Sequence, residues 1–403
     1  MQKPRRILIL VENLPSPFDR RVWQEAGALR DAGYGVSIIC PTGKGCEKKF
    51  ESIDGIDIWR YDLPNEAEGA LGYLVEYSAA LFWTFLLSLR IRFDVIHACN
   101  PPDLFFLIGG FYKLFGKKFL FDHHDANPEL YEAKFGRRGF LWKVMVWVEK
   151  LTFRTADVSI ATNESYRRIA LTRGGMDPDK VFVVRSGPSL ERMKVLPPTE
   201  NLKQGKKHLV GYVGVMGKQE GIDLLLQSVA HVVKERKDVH FGLVGGGTSL
   251  EEMKALAREL GVAEYVTFTG RVPDAELLAM LNTADVCVNP DVANEMNDIS
   301  TMNKIMEYMA LGKPIVQFDL TEGRHSAQDA SLYAKRNDPQ DFARKIIELL
   351  DDPARRAAMG EYGRRRVLDT LEWRHEVPRL LAAYEALWRR SPFGQGRTSA
   401  SRP

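Results

Sequence analysis

Cysteine is scarce in this chain. Its four copies, Cys40, Cys46, Cys99 and Cys287, show neither a disulfide framework nor a paired zinc-ligand spacing. A reducing, cytoplasmic compartment is the expectation that follows. Charge of one sign is also missing: 56 Lys and Arg face 53 Asp and Glu, and a net charge of +3 gives no reason to expect nucleic acid as a partner. The apolar segment Tyr77–Leu89, YSAALFWTFLLSL, falls short of the roughly 20 residues of a spanning helix. It is expected to be a buried helix, with a membrane-touching helix as the alternative. The opening MQKPRRILILV places positive charge before an apolar run, but Glu12 and Asn13 end that run at once, so it reads as a strand and not as a signal peptide. Absent too is a Gly-x-Gly-x-x-Gly turn after that strand, which argues against a nicotinamide cofactor.

What is present is size and rhythm. A chain of 403 residues, 45% hydrophobic and 27% charged, suits two soluble domains with a core each. Strands are predicted at Arg6–Val11, Gly35–Cys40, Ile56–Tyr61, Val95–His97, Lys118–Asp122 and Val158–Thr162. Helices are predicted at Arg20–Ala32 and near 72–91, 102–115 and 138–155. Strands alternating with helices predict a doubly wound parallel sheet. The proline-rich, polar LPPTENLKQGKK at 196–207 breaks the rhythm in the manner of a linker, and a second alternating series begins at Leu209. The expected division is residues 1–190 for the first domain, 191–208 for the linker and 209–374 for the second domain. A C-terminal helix at 375–390 and a disordered tail at 391–403 complete it.

Asn297–Phe318, NDISTMNKIMEYMALGKPIVQF, reads as a polar loop, a helix opening and a buried strand. Ser300 or Thr301 can cap the helix, leaving its amides and positive dipole end to face an anion held with Met302 and Asn303. Lys304 adds a charge there. Glu307, two turns from the cap, can accept hydrogen bonds from the vicinal hydroxyls of a ribose. Phosphate and ribose together mean a nucleotide. Gly245–Gly246–Gly247 follows a strand and would let backbone approach that ligand, although a tight turn without ligand explains it as well.

In the first half, Phe121–Asp122–His123–His124–Asp125 ends a strand, placing imidazoles and carboxylates where a sugar hydroxyl or leaving oxygen would be handled. One of the two histidines is expected to point into the core. A metal site would need a second His/Asp cluster of similar density, and the sequence shows none. Arg20 and Arg21 open a helix whose dipole they oppose, so an anion should compensate them. Either an internal pair with Asp19 or Glu25, or an acceptor phosphate, would serve. Gly136–Arg154 is basic and aromatic, with two open readings: a helix lying on an anionic membrane, or a surface helix with its aromatic face packed inward.

Taken in order, PFDRRVWQEAGALRDAGYGV, FDHHDANPELYEAKF, YVGVMGKQEGID, LVGGGTSLEEMKALARELGVAEYVTFTGRVP and KIMEYMALGKPIV resemble the family 4 glycosyltransferases of the GT-B fold. Within that family the similarity is to the WbuB-like bacterial envelope-polysaccharide branch. The resemblance implies two Rossmann-like α/β domains facing across a cleft. It implies retaining transfer of a sugar, from a UDP-sugar as the expected donor, to a lipid-linked acceptor, without metal or other cofactor. It assigns the donor ribose to Glu307 and catalysis to His124 and Asp125. It matches Gly245, Gly247 and Val272 to the nucleotide sugar. Together with the residue readings above, Gly217, Lys218, Asn297, Asp298, Ser300, Thr301, Met302, Asn303 and Lys304 are expected on that ligand, and Arg20, Arg21 and His123 on the acceptor side. The family also carries a glutamate eight positions before the one matching Glu307, where this chain has Ile299; Glu295, Asn297 and Asp298 are the available substitutes. Val215 and Glu220 stand where its diphosphate-clamping Arg and Lys belong, so Lys218 and Lys304 are the replacements expected. A nucleotide-sugar epimerase and a catalytically silent subunit of a transferase complex are the alternatives.

Overall fold

The computed structural model describes residues 4–63 and 69–389. These form two compact units: residues 4–128, 137–184 and 377–389 make the first, and 129–136 and 185–376 the second. The tail expected from Ser391 lies outside the described residues.

In the first unit an eight-stranded sheet runs in the order β3-β4-β2-β1-β5-β6-β7-β8. Its strands are β1 (Arg6–Leu10), β2 (Gly35–Pro41), β3 (Phe50–Ile53), β4 (Ile56–Tyr61), β5 (Val95–Cys99), β6 (Lys118–His123), β7 (Val158–Ala161) and β8 (Val181–Val183). All neighbours pair in parallel except the edge hairpin β3/β4. The sequence reading omits β3 and β8 because short edge strands carry little periodic signal. The helices are α1 (Arg20–Asp31), α2 (Gly69–Ser88), α3 (Phe106–Lys113), α5 (Phe140–Thr155) and α6 (Glu164–Thr172); between α3 and α5 comes α4 (Asn127–Phe135), whose residues from Glu129 on belong to the second unit. Right-handed crossovers put α1 on one face of the sheet and α2, α3, α5 and α6 on the other. Asp19 caps α1 by accepting from the Val22 amide at 3.1 Å, which fixes where that helix starts.

α5 covers the helix expected near 138–155, while α4 is a helix that the sequence reading omits; Gly136, with a positive φ of 67°, ends it. Neither α2 nor α5 is an ordinary buried helix: Phe82 and Trp83 on α2, and Phe140 and Trp147 on α5, face outward. No helix among the described residues is long and apolar enough to cross a membrane.

The second unit has a six-stranded parallel sheet in the order β11-β10-β9-β12-β13-β14. Its strands are β9 (His208–Val213), β10 (Val239–Val244), β11 (Val266–Gly270), β12 (Val286–Asn289), β13 (Ile315–Phe318) and β14 (Ser331–Ala334). Around them lie α7 (Ile222–Glu235), α8 (Leu250–Glu259), α9 (Asp274–Thr283), α10 (Glu295–Ile299), α11 (Asn303–Ala310), α12 (Thr321–Ala327), α13 (Pro339–Asp351) and α14 (Pro353–Arg366). The last helix, α15 (Trp373–Trp388), carries the chain into the first unit, where Tyr384 is fully buried. The stretch read as a linker is partly tied down, since the amides of Leu196 and Thr199 donate to Asn282 and Thr283 of α9.

Each sheet reverses its winding once, between β1 and β5 in the first unit and between β9 and β12 in the second. Ligands of open α/β sheets bind beyond the strand ends at such points.

Candidate active site

In the first unit, β6 delivers His124 just past its carboxyl end. Side chains on a strand alternate between faces, so Asp122 and His124 share one face and His123 takes the other. His123 is fully buried among the rings of Phe121, Phe153 and Tyr166, and burial pushes its pKa down to about 3. It is a neutral core residue, which corrects its placement on the acceptor side.

Asp122 is the hub of the other face. Its carboxylate takes the Arg21 guanidinium at 3.0 Å and the imidazoles of His124 and His97 at 2.6 and 3.3 Å. Burial works against its charge, but Arg21 and then His124 outweigh it and hold the carboxyl well below its ordinary range. The Nε2 of His124 sits between two fixed partners: the Asp122 carboxylate, which can only accept, and the Nε–H of Arg21, 2.9 Å away, which can only donate. The second ring nitrogen, Nδ1, is the one left for chemistry outside the network. For His97 the accepting Asp122 carboxylate gives Nε2–H toward it and an Nδ1 that accepts from the Tyr384 hydroxyl at 2.7 Å. Burial lowers the pKa of His97 and keeps it neutral.

Glu25 completes the cluster. Burial raises its carboxyl well above the ordinary range, although Arg21, 3.0 Å away, pulls the other way. Of the two carboxyls beside Arg21, Asp122 keeps the charge and Glu25 keeps a proton. Arg21 also donates to the Val184 carbonyl at 2.9 Å and is only 8% exposed. It is therefore an internal counter-ion and not an acceptor-binding group, which corrects that expectation. Arg20, its neighbour, is exposed. Glu25, Asp122 and His124 approach one another closely enough to hold a metal ion, as do His97, Cys99 and Asp122. The guanidinium of Arg21 already supplies the cation in that space, and burial holds the Cys99 thiol protonated. These donors do not fit a metal.

The partner that orients His124 is thus Asp122, two residues upstream, and not Asp125. The Asp125 main chain is fixed by Asn100, whose Oδ1 accepts from the amides of His124 and Asp125 at 2.6 and 3.1 Å while its Nδ2 donates to the Asp125 carbonyl at 2.7 Å. Asn100 follows β5, so the sheet itself sets the position of the His124 loop.

In the second unit the segment 290–307 lines the switch point. An additional helix, α10, occupies part of the predicted loop. Asn294 caps it, accepting from the Asn297 amide at 2.8 Å. Asn297 is buried and its Nδ2 donates to the carbonyls of Gln219 and Val292. Asp298 accepts from Thr321 and pairs with Arg336 at 2.6 Å. Both residues hold the loop together, so neither is a spare substitute for the missing glutamate. Ser300 donates back to Met296 and does not cap α11. The cap position is Met302, which has no capping side chain, so the first amides of α11, at Asn303 and Lys304, stay open to an anion.

Lys304 is spent on internal charge. It pairs with Asp291 at 2.9 Å and Glu220 at 3.2 Å and lies over the Tyr212 ring. Burial opposes its charge, yet Asp291, Tyr212 and Glu220 hold it firmly protonated, and burial raises Glu220 to about 7. Lys218 is exposed and makes no hydrogen bond or ion pair among the described residues, so it is the cation available to a diphosphate. Gly217, just before it, is the residue that opens its short turn.

Glu307 accepts from Arg192 at 2.8 Å, and Arg192 is anchored on its other edge by Asp274 at 2.7 and 3.1 Å. Arg192 escapes sequence reading because it stands outside every motif, and only the return of its segment against α9 and α11 brings it there. The glycines at 245 and 247 are required by the chain's own packing. A Cβ on Gly245 would lie 1.8 Å from the Gly214 carbonyl oxygen, and one on Gly247 2.5 Å from that of Met216. Val272 packs against the core around α9 and α11.

The two sequence halves match two separate family models: residues 19–187 a glycosyl transferase 4-like domain and residues 207–352 glycosyl transferases group 1. This chain belongs to the family 4 glycosyltransferases. Their GT-B fold is shown by a sucrose-phosphate synthase from Thermosynechococcus elongatus, which superposes with a TM-score of 0.75 at 19% identity over 95% of this chain and 99% of that one. The chain is 29% identical over 244 residues to a 2-deoxystreptamine glucosyltransferase of Streptomyces kanamyceticus, covering 59% of this chain and 60% of that protein. It is also 29% identical over 244 residues to a GDP-mannose-dependent alpha-(1-6)-phosphatidylinositol monomannoside mannosyltransferase of Mycolicibacterium smegmatis, covering 53% and 64%. The chain thus spans less than two thirds of the length of these curated relatives.

Proposed function

We propose that this chain is a retaining glycosyltransferase that moves a sugar from a nucleotide donor, a UDP-sugar as first choice, to a lipid-linked acceptor in the synthesis of a bacterial surface polysaccharide. The WbuB-like branch is the one its motifs fit. The observation that carries the reading is the second unit's switch point, where the uncapped start and the Glu307 carboxylate belong to one helix, α11, and Lys218 belongs to the short turn whose Glu220 pairs with Lys304 of that helix. Together they suit a diphosphate followed by a ribose.

In this reading the α11 amides and Lys218 meet the negative charge that grows on the leaving phosphate, and Glu307, steadied by Arg192, accepts from the ribose hydroxyls. The first unit supplies His124, whose ring is oriented by an ionised Asp122 so that Nδ1 meets the sugar or the reacting oxygens. Asp125, Gly217 and the exposed Asn303 remain contact residues of the proposal, and the exposed Arg20 remains on its acceptor side. One of the named relatives is GDP-mannose-dependent, so the nucleotide is the first thing to measure.

Calorimetric titration of UDP, GDP and ADP, with Glu307→Ala as control, tests the donor site. Selective binding of one nucleotide that the variant loses supports it; equal affinity in the variant removes Glu307 from the site. Incubation with donor alone separates an epimerase, which would return an isomerised nucleotide sugar. Turnover by the purified chain with donor and acceptor excludes a silent subunit.

A further inference from the structure

Among the described residues, twenty large apolar side chains are exposed, and thirteen of them lie on α2, α3 and α5 or directly after α2 and α3. These helices are neighbours. Phe85 of α2 meets Phe111 of α3 edge-on at 5.2 Å, and Lys113 of α3 donates to the Thr155 carbonyl at the end of α5. On α5 the exposed set is Phe140, Leu141, Val144 and Trp147, a helical stripe that faces away from the sheet, while Glu149 turns inward to Arg173 at 2.8 Å. On α3 the outward stripe is Leu107, Phe111 and Leu114, the last 82% exposed. An amphipathic helix normally buries such a stripe, so three adjacent stripes turned outward describe a face that another apolar phase covers.

Charge identifies that phase. Residues 74–93, 106–118 and 137–155, which make up this layer, hold ten Lys and Arg against two Glu, and one of the two, Glu149, is buried. At the layer's lower edge, by the starts of β1, β5 and β6, lies a cavity of about 920 Å³ with Arg5, Arg6, Arg92 and Lys117 on its wall against Asp94 alone. Leu89 and Phe115 belong both to this cavity and to the exposed face. It sits at the opposite end of the strands from His124. Cations over an apolar floor, continuous with outward Trp and Phe, match anionic headgroups above acyl chains.

We propose that the α2–α3–α5 face docks on an anionic lipid bilayer, with the basic cavity receiving a lipid headgroup phosphate. The inference goes beyond the reaction proposed above, because it concerns binding that needs neither donor nor acceptor.

Vesicle flotation of the full chain tests it, using phosphatidylcholine with and without phosphatidylglycerol. The expected result is flotation with anionic vesicles, weak flotation with neutral ones, and loss as salt rises. Phe140→Ser with Trp147→Ser removes two exposed side chains, which spares the core, and should weaken partition about tenfold or more for each. Arg92→Glu with Lys150→Glu should abolish the preference for anionic vesicles. At matched ionic strength, kept constant with sodium chloride, inorganic phosphate should not displace the protein. The proposal is overturned by absence of flotation, by equal flotation with neutral vesicles, by variants that float like the parent, or by release with inorganic phosphate. It is equally overturned by a soluble dimer that Trp147→Ser dissolves, which would make the face an interface between two copies. Nucleotide titration of the same variants keeps the two proposals apart, since it should be unchanged whichever way flotation falls.

Discussion

Arg21→Met would remove the cation on which the first unit's buried cluster depends. The guanidinium contacts Asp122, Glu25 and the Val184 carbonyl, and the two carboxyls are completely buried. Methionine fills the stem's volume but leaves Asp122 ionised without its main counter-ion. Deleting one partner of a buried ion pair costs about 3–5 kcal/mol. The pH dependence follows from the direction of the shift. Asp122 is held below its unfolded pKa by Arg21, so its contribution to stability is fully present above the unfolded value of about 3.9 and lost as pH falls through the folded one. Parent and variant should therefore differ by several kcal/mol at neutral pH and converge in acid. Native-state hydrogen exchange of the β6 amides reads this locally, without assuming that two units unfold as one. A double variant with Asp122→Asn should cost clearly less than the sum of the single changes. The reasoning is refuted by a loss below about 1 kcal/mol, at the level of an exposed pair, or by a gap independent of pH. Either result would return Arg21 to the role of an acceptor ligand.

Asp122→Asn, by removing the charged carboxylate that holds the His124 ring, should lower turnover about 10²–10⁴-fold with little change in KM, measured by steady-state transfer kinetics. An unchanged turnover would show that His124 needs no orienting carboxylate. Lys304→Met should destabilise the second unit by about 3–5 kcal/mol in urea unfolding, because Asp291 would be buried unpaired. Lys218→Ala should leave stability alone and weaken nucleotide binding about tenfold, in line with one charged hydrogen bond; the reverse pattern would exchange their roles. Glu12 lies at the end of β1 with its pKa raised to about 8, by burial first and then by Glu76. Its folded form keeps a proton that the unfolded form has released, so stability should fall as pH rises from about 4.5 to 8. Glu12→Gln should flatten that slope, and denaturation across this range that shows equal slopes in both proteins would contradict the assignment.

The alternation of strand and helix is legible in the chain alone, and with it two sheets, parallel but for the β3/β4 edge, whose carboxyl ends carry Asp122–Asp125 and Gly214–Gly221. Those features are local: period, glycine punctuation and the inward run of apolar residues are written in neighbouring positions. The sequence also marked His124, Glu307 and the start of α11, because a strand end and a helix start can be recognised from adjacent residues. Tertiary structure alone decided which charges are available. Arg21 and Lys304 look like ligands for an anion in the sequence, and folding spends them on Asp122, Glu25, Asp291 and Glu220 from distant segments. Arg192 lies outside every motif and reaches Glu307 only because the segment before the second sheet returns to α9 and α11. The histidine pair was divided by the pleat, which sends His123 into an aromatic core and His124 to a buried carboxylate. For α2 and α5 the sequence left a buried and a membrane-touching placement both open, since periodicity reveals that a helix has an apolar side and only packing reveals where that side points.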